Sequence, residues 1–322
     1  MWQREDVSGV DGSVCEGWGD ERGERADTVC VPDVWPVPDV WKGGVVWGSA
    51  LAVSDTVLGD VPESEVKSET WIVCPDTHVA PVGSVEGGID PRADSVLKQA
   101  IRIVRPDGFV HIGDVGEWES ASHWQWTKRK RPPFEFMKPL IMADVRAVNK
   151  WLDEIDRELD KAGTTKRMVT EGNHEVWCDN FAIEEARPEF GAKALMRIKE
   201  RGWEWHEHGE FAKIGKLNLT HGGHFTGLHH AYKTVLGLSA SCMYGHFHNV
   251  ESAHVMHLGG AHGAWAIGCL CKMRKKFLGG KPTSWSHAFG IVHVEANGQF
   301  HVEVVDIFDG VAYVYGRRVE AK

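Results

Sequence analysis

Seven side chains stand just past five apolar runs, and their types belong to metal chemistry. Asp76 and His78 follow Trp71-Ile72-Val73-Cys74, and Asp114 follows Phe109-Val110-His111-Ile112. Asn173 follows Arg167-Met168-Val169-Thr170, and His221 follows Leu217-Asn218-Leu219-Thr220. His246 and His248 follow Ser241-Cys242-Met243-Tyr244. A short apolar run reads as a buried strand, and the loops at strand ends are where a scaffold places its chemistry. Glycines beside these residues let the backbone turn sharply. Taken singly, each histidine reads as a core or surface residue; together and in order, the fragments form a donor set. Carboxylate, amide and imidazole without thiolate suit Mn, Fe or Zn. Seven N/O donors exceed one tetrahedral ion and suit two ions that share a carboxylate. Two ions about 3.5–4 Å apart can clamp a phosphoryl group and turn water into hydroxide near neutral pH.

The fragments are spelled Asp76-Thr77-His78, Gly113-Asp114-Val115-Gly116-Glu117, Gly172-Asn173-His174-Glu175, Thr220-His221-Gly222 and Gly245-His246-Phe247-His248. In this order they resemble the motifs of the calcineurin-like metallophosphoesterase superfamily, over about residues 70–310. Within it the chain looks most like bacteriophage-encoded members, on Glu171 to Glu175, the long helical insert before them, Gly268-Cys269-Leu270 and the hairpin that follows. The resemblance implies an α/β fold, a four-layer sandwich of two facing mixed β-sheets flanked by helices. It implies that Asp76, His78 and His248 hold one metal, that Asn173, His221 and His246 hold a second, and that Asp114 bridges the two. His174 and Asp114 would be the catalytic residues, with His174 contacting the phosphate and protonating the leaving oxygen. Two divalent ions are implied, Mn²⁺ first, with Fe, Zn or Mg as alternatives. The second motif departs from the family pattern: Glu117 stands where Asp is usual, which leaves the ligands intact but alters their surroundings. The Asp-Arg-Gly ending of Ser/Thr protein phosphatases is absent, which disfavours that activity.

The 322 residues carry 46 acidic and 36 basic side chains, a net charge of −10. Residues 1–70 hold 15 of the acidic and 5 of the basic ones, so the remainder has 31 of each and is neutral. A neutral body with a cationic metal site attracts phosphate locally, without a global basic field. Seven cysteines without disulfide-like spacing fit a reducing compartment. The start, Met1-Trp2-Gln3-Arg4-Glu5-Asp6, does not read as a signal peptide, and Gly43 to Val53 is too short an apolar run to span a bilayer. These features predict a cytoplasmic protein, in the host cytoplasm if it is phage-encoded.

Two parts are expected: an acidic, largely irregular extension over 1–69 and a catalytic domain over 70–322. The extension repeats Pro-Asp-Val-Trp at 32–35 and 38–41, which reads as a linker or as a docking peptide for a protein partner. Asp90-Pro91 opens a helix through Leu97, Ile101 and Val104. Ile141, Val145, Val148, Leu152, Ile155 and Leu159 make one apolar stripe on a helix of about 25 residues. A further helix is predicted over 177–201, as a wall of the cleft. His206 and His208 read as an edge or surface strand, and His229 and His230 as surface. One of His254, His257 and His262 is a candidate to reach substrate. Asn297-Gly298 marks a hairpin. The later strands are expected to join a second sheet.

The insert from Trp118 to Phe136 carries Trp118, Trp124 and Trp126 and then Lys128, Arg129, Lys130 and Arg131. Aromatic rings beside cations can stack bases and hold phosphates. These four cations, with Asn173, His174 and His224, are the candidate substrate contacts, and Lys272, Arg274, Lys275 and Lys276 form a second basic cluster. The leading expectation is a dinuclear phosphodiesterase or nuclease on nucleic acid or nucleotides. A phosphomonoesterase is the alternative within the chemistry. A binding protein with a vestigial metal site, recruiting a partner through Trp35 and Trp41, is the alternative outside it.

Overall fold

The computed structural model describes residues 68–322 except 85, 86, 129, 276 and 277. The acidic extension, with Trp35 and Trp41, lies outside the described residues up to position 67, and Glu69 already opens the first strand.

The first sheet has the order β11 (Phe300–Ile307), β10 (His287–Val294), β1, β2, β3, β4. Its strands β1 (Glu69–Cys74), β2 (Gly108–His111), β3 (Lys166–Thr170) and β4 (Glu204–His206) run parallel. The second sheet has the order β5-β6-β7-β9-β8, from β5 (Ala212–Ile214), β6 (Leu217–Thr220), β7 (Cys242–Tyr244), β8 (Val250–His257) and β9 (Gly260–Ile267). The two sheets face each other across one apolar layer. Alternate residues Trp71, Val73, Val110 and Ile112 meet Leu217, Leu219, Met243 and Ile267 there. The other face of the first sheet, with Ile72 and Phe109, packs on α1 (Pro91–Val104), α2 (Phe134–Ala162) and α3 (Asn173–Glu184). The outer face of the second sheet takes α6 (His230–Leu238) through Ala231 and Val235. The result is a four-layer α/β sandwich with two mixed sheets between helices.

Local sequence accounts for these elements. Asp90 caps α1 by accepting from the Arg92 and Ala93 amides, with Pro91 at the first helical position. On α2, Ile141, Val148, Leu152, Ile155 and Leu159 are all buried, as the stripe predicts, and Gly163 ends the helix in the left-handed conformation.

Four expectations need correction. The later strands β10 (His287–Val294) and β11 (Phe300–Ile307) join the first sheet, with β10 antiparallel to β1, rather than the second. β12 (Val311–Val314) and β13 (Arg317–Glu320) form a separate hairpin. The helix expected over 177–201 begins earlier, at Asn173, and is broken. After α3 come a 3-10 turn at Pro188–Phe190 and the short helices α4 (Ala192–Leu195) and α5 (Ile198–Arg201). Pro188 and Gly191 interrupt the hydrogen-bond ladder there. His230 is buried, not superficial, and contacts Tyr244 Oη at 2.7 Å and Asn249 Oδ1 at 3.0 Å. Trp118 is core rather than a stacking surface. β4, which carries His206, is the edge strand expected. No helix among the described residues is long and apolar enough to cross a membrane.

Trp71 lies over its β2 neighbour Gly108, where an added Cβ would stand 2.2 Å from the indole. Gly108→Ala should therefore cost about 1–3 kcal/mol of unfolding free energy. Urea denaturation followed by circular dichroism measures it, and an unchanged midpoint would contradict this packing.

Candidate metal centre

The parallel strands β1, β2 and β3 deliver their C-terminal loops to one edge of the sandwich. The parallel pair β6 and β7 delivers its loops to the same place. Asp76 and His78 follow β1, Asp114 follows β2, and Asn173 opens α3. His221 follows β6, and His246 and His248 follow β7. All seven side chains converge, in two groups. In the first, His248 Nε2 lies 3.0 Å from Asp76 Oδ2 and 3.0 Å from His78 Nε2, which is 3.6 Å from Asp114 Oδ2. In the second, Asn173 Oδ1 lies 3.0 Å from His221 Nε2 and 2.9 Å from His246 Nδ1, and His221 Nε2 is 3.4 Å from Asp114 Oδ2. One oxygen, Asp114 Oδ2, belongs to both groups.

In the first group His248 hydrogen-bonds Asp76, and burial, which lowers its pKa, is outweighed by Cys271 and Asp76, which leave it raised to about 10. In the second group the donor atoms do not all satisfy one another. The His221 Nδ1–H donates to the Ile112 carbonyl at 2.9 Å. A neutral His221 therefore turns the lone pair of Nε2 toward the oxygens of Asn173 and Asp114. Burial holds His221 neutral, with its pKa pushed down to about 4, and burial likewise lowers His78 and His174. Lone pairs facing lone pairs repel unless a cation stands among them. Neighbouring ligands on an ion with bonds of about 2.1 Å stand about 3 Å apart, which is the spacing found. The residues thus fit two divalent ions. Asp76 is fully buried; burial alone would raise its pKa, but hydrogen bonding to His248 and the nearby imidazoles outweigh it and hold the carboxyl below its usual range. Asp114 is raised, by burial first and then by Asp76 and Glu175. Bound cations reverse that cost.

A buried carboxylate that is not itself a ligand fixes the geometry. Glu175 Oε2 accepts from the amides of Asp114 (2.8 Å) and Gly172 (3.0 Å). Its Oε1 accepts from Gly116 N (3.2 Å) and Trp118 Nε1 (2.9 Å). Asp114 Oδ1 in turn accepts from His174 N at 2.9 Å, and the Asp76 carboxylate accepts from His246 N at 3.0 Å. Gly172 and Gly245 are needed for these approaches. A Cβ on the first would lie 2.2 Å from Asp114, and on the second 2.1 Å from Asp76.

The altered motif residue Glu117 has a partner. Its Oε2 takes a hydrogen bond from Lys275 Nζ at 2.7 Å, with both side chains buried, and stands 3.3 Å from His78 Nδ1. Its backbone carbonyl accepts from His174 Nδ1 at 2.6 Å. Glu117 thus positions both the ligand His78 and the candidate acid His174. Gly87 leaves room for its longer side chain, since a Cβ there would stand 2.5 Å from Glu117. His174 Nε2 is left 3.9 Å from Asp114 Oδ2, at the cleft.

The cleft over the centre has a volume of about 590 Å³. Asn173, His174, His246 and His248 line it, together with Lys275, Trp124, Trp177 and Trp285. Of these, Lys275, Trp177 and Trp285 are not among the contacts expected from sequence. The one signal that could have found Lys275 is the longer carboxylate at Glu117, which needs a cation nearby once it is buried. The other candidate contacts lie elsewhere. His224 is exposed and stacks on Phe211. Lys128 and Lys130 are exposed and outside the lining, and Arg129 is outside the described residues. Arg131 pairs with Glu184 and lies over the Phe181 ring. His254, His257 and His262 sit on the β8–β9 hairpin, away from the lining. Cys271 Sγ lies 3.9 Å from His248 Nδ1, so a sulfur borders a set expected to lack one.

No family model and no curated protein matches the chain. Among solved structures it is similar to Vps29 of Chaetomium thermophilum, with a TM-score of 0.39 and 9% identity over 79% of this chain and 98% of that one. It is similar to the phosphoesterase YfcE from E. coli, with a TM-score of 0.32 and 17% identity over 79% of this chain and 100% of that one. It is also similar to the purple acid phosphatase PPD1 from yellow lupin, with a TM-score of 0.36 and 14% identity over 77% of this chain and 53% of that one. Likeness at this level says nothing of chemistry, which rests on the convergent donors alone.

Loss of the Glu117 carboxylate should loosen His78. Glu117→Gln is expected to weaken binding of one ion about 10–100-fold and to leave the other nearly unchanged. Calorimetric titration of metal into stripped protein measures both, and two unaltered binding steps would remove Glu117 from the account.

Proposed function

We propose that this protein is a dinuclear, metal-dependent phosphoesterase, acting as a phosphodiesterase or nuclease on nucleotides or nucleic acid. The observation that carries the reading is the pair of donor groups sharing Asp114 Oδ2. Asp76, His78 and His248 would hold one ion and Asn173, His221 and His246 the other, with Asp114 shared between them; Mn²⁺ suits this oxygen- and nitrogen-rich set. When bound, such a pair supplies Lewis acidity to phosphoryl oxygens and makes water nucleophilic near neutral pH.

The chain's own residues do the rest. Burial of Asp76, His78, Asp114, His221 and His248 strengthens the charge interactions among them. Asn173 and His174 open α3, so the scissile phosphate meets the positive end of a helix. With its Nδ1 proton given to the Glu117 carbonyl, His174 presents Nε2 to the leaving oxygen. It acts as an acid once that nitrogen carries a second proton, a state that an adjacent phosphate anion favours. Lys275 adds a fixed cation at the cleft. Three indoles on the cleft wall support a substrate with planar bases.

Purified protein supplied with Mn²⁺ should bind two ions per chain and hydrolyse bis-p-nitrophenyl phosphate. Asp114→Asn should abolish both properties. Two bound ions with no ester hydrolysed would sink the reading.

Substituting His174→Ala should lower kcat about 10²–10⁴-fold on a nucleotide diester, whose alkoxide leaves badly. On p-nitrophenyl esters, whose phenolate needs no proton, the loss should be much smaller. Equal losses on both substrates would assign His174 to phosphate binding rather than proton transfer.

A further inference from the structure

The candidate acid is held by more than hydrogen bonds. His174 donates its Nδ1–H to the Glu117 carbonyl at 2.6 Å, and its amide donates to Asp114 Oδ1 at 2.9 Å. The first bond decides which way round the ring stands, because a half-turn would put a carbon where that nitrogen is. It leaves the tilt of the ring loosely set. The torsion that turns an imidazole on its Cβ is broad and lacks sharp staggered wells. A ring held at Nδ1 can still tilt, and tilting carries Nε2 with it.

Trp177 restricts that tilt. It stands three residues after His174 on α3, a spacing that brings two side chains together on one helix face. The two ring centroids lie 3.8 Å apart, at an interplanar angle of 34°. The candidate ligand His78 also meets the imidazole, nearly at right angles, with centroids 4.4 Å apart. His174 thus has one near-parallel and one near-perpendicular aromatic neighbour. Trp177 is itself met edge-on by His123, at 6.4 Å. Both His174 and Trp177 line the cleft, and only 12% of the His174 side chain is exposed.

We propose that Trp177 is a positioning residue: packed on the His174 imidazole, it holds the ring plane so that Nε2 stays aimed at the leaving oxygen. This rests on the phosphoesterase reading and adds a residue to it. In the step concerned, a water oxygen bonds to phosphorus while the ester P–O bond breaks, its electron pair passing to the leaving oxygen. That oxygen takes the Nε2 proton of the charged imidazole, which becomes neutral. Trp177 exchanges no proton, and its effect passes through His174. It therefore matters in proportion to the leaving group's need for a proton. An indole that served only to fill space would affect every ester alike.

Two measurements test this. In metal-free protein the His174 ring protons should lie upfield in the NMR spectrum, shifted by the indole ring current. His174→Ala identifies the signals, and Trp177→Leu should move them downfield. Kinetics with Mn²⁺ supply the second. Along a series of aryl phosphodiesters, from p-nitrophenyl to phenyl, the loss of kcat in Trp177→Leu should grow from slight to about 10–100-fold. KM should stay nearly constant, since ground-state binding is untouched. Trp177→Phe keeps an aromatic face and should retain most of the rate. In a His174→Ala background, Trp177→Leu should cost almost nothing further. If the leucine variant does not fold, Trp177→Met carries the same comparisons. A loss equal on all esters, losses that multiply in the double variant, or a His174 signal unmoved by the substitution would overturn the proposal. Failure of the unsubstituted protein to hydrolyse bis-p-nitrophenyl phosphate would overturn the parent reading instead, and that is seen before any variant is made.

Discussion

The geometry of the site depends on one buried carboxylate that is not itself a candidate ligand. Glu175 gathers the amides of Asp114, Gly116 and Gly172 and the indole N–H of Trp118. Four donors around two oxygens satisfy a charge that would otherwise be expensive to bury. Three of these bonds, from Asp114, Gly116 and Trp118, pin the loop after β2 against the start of α3, which couples Asp114 to Asn173. The second sheet is tied in by equally direct contacts: His221 Nδ1 to the Ile112 carbonyl, and His246 N to the Asp76 carboxylate. Each loop that carries a candidate ligand is thereby hydrogen-bonded to another such loop. This is why donors from five strands arrive within about one ion's width of each other.

That arrangement is strained. His78, Asp114, His246 and His248 all have positive φ, between 46° and 68°. Left-handed backbone costs a residue with a Cβ about 1–2 kcal/mol. Four of the seven convergent donors bear that cost, and the hydrogen bonds around Glu175 and Asp76 offset it. Burial adds to this cost, since Asp114 and Glu175 are carboxyl groups whose pKa values it raises, with Asp76 beside Asp114 raising it further. Four left-handed donors beside buried carboxyl groups are the kind of local cost that a functional site carries.

Much of this is legible in the sequence, for physical reasons. Apolar runs ending in glycine and a polar ligand type identify β1, β2, β3, β6 and β7 with their loops, because burial and turn chemistry are both local properties. The same holds for the stripe of α2 and for the turn at Asn297-Gly298, where the Glu295 amide donates to the Gln299 carbonyl. What stays hidden is non-local. Which sheet receives β10 is decided by its pairing with β1, more than two hundred residues earlier, and alternation within β10 says nothing about it. Lys275 reads as one cation in a basic run, and only its meeting with Glu117 makes it part of the site. Arg131 shows the converse, since a cation placed in a suggestive run is committed to Glu184. β8 escapes recognition because its residues alternate between partly and fully exposed and never form an apolar run.

The chemistry and the selectivity of the cleft are held by different parts of the fold. The convergent donors stand at the ends of paired strands, where hydrogen bonding in both sheets fixes them. The indoles that wall the cleft stand on the 3-10 turn at His123–Trp126, on α3, and on the segment before β10. Trp124 is largely exposed, and of the three indoles only Trp177 stands on a regular helix. Glu117 and Lys275 span the boundary: the carboxylate reaches inward to His78, while the ammonium that holds it comes from the segment that leads on to Trp285. A change in the outer segment can therefore reach the donors through that ion pair, and changes at Trp177 and Trp285 reach His174 and His248 through direct ring contact.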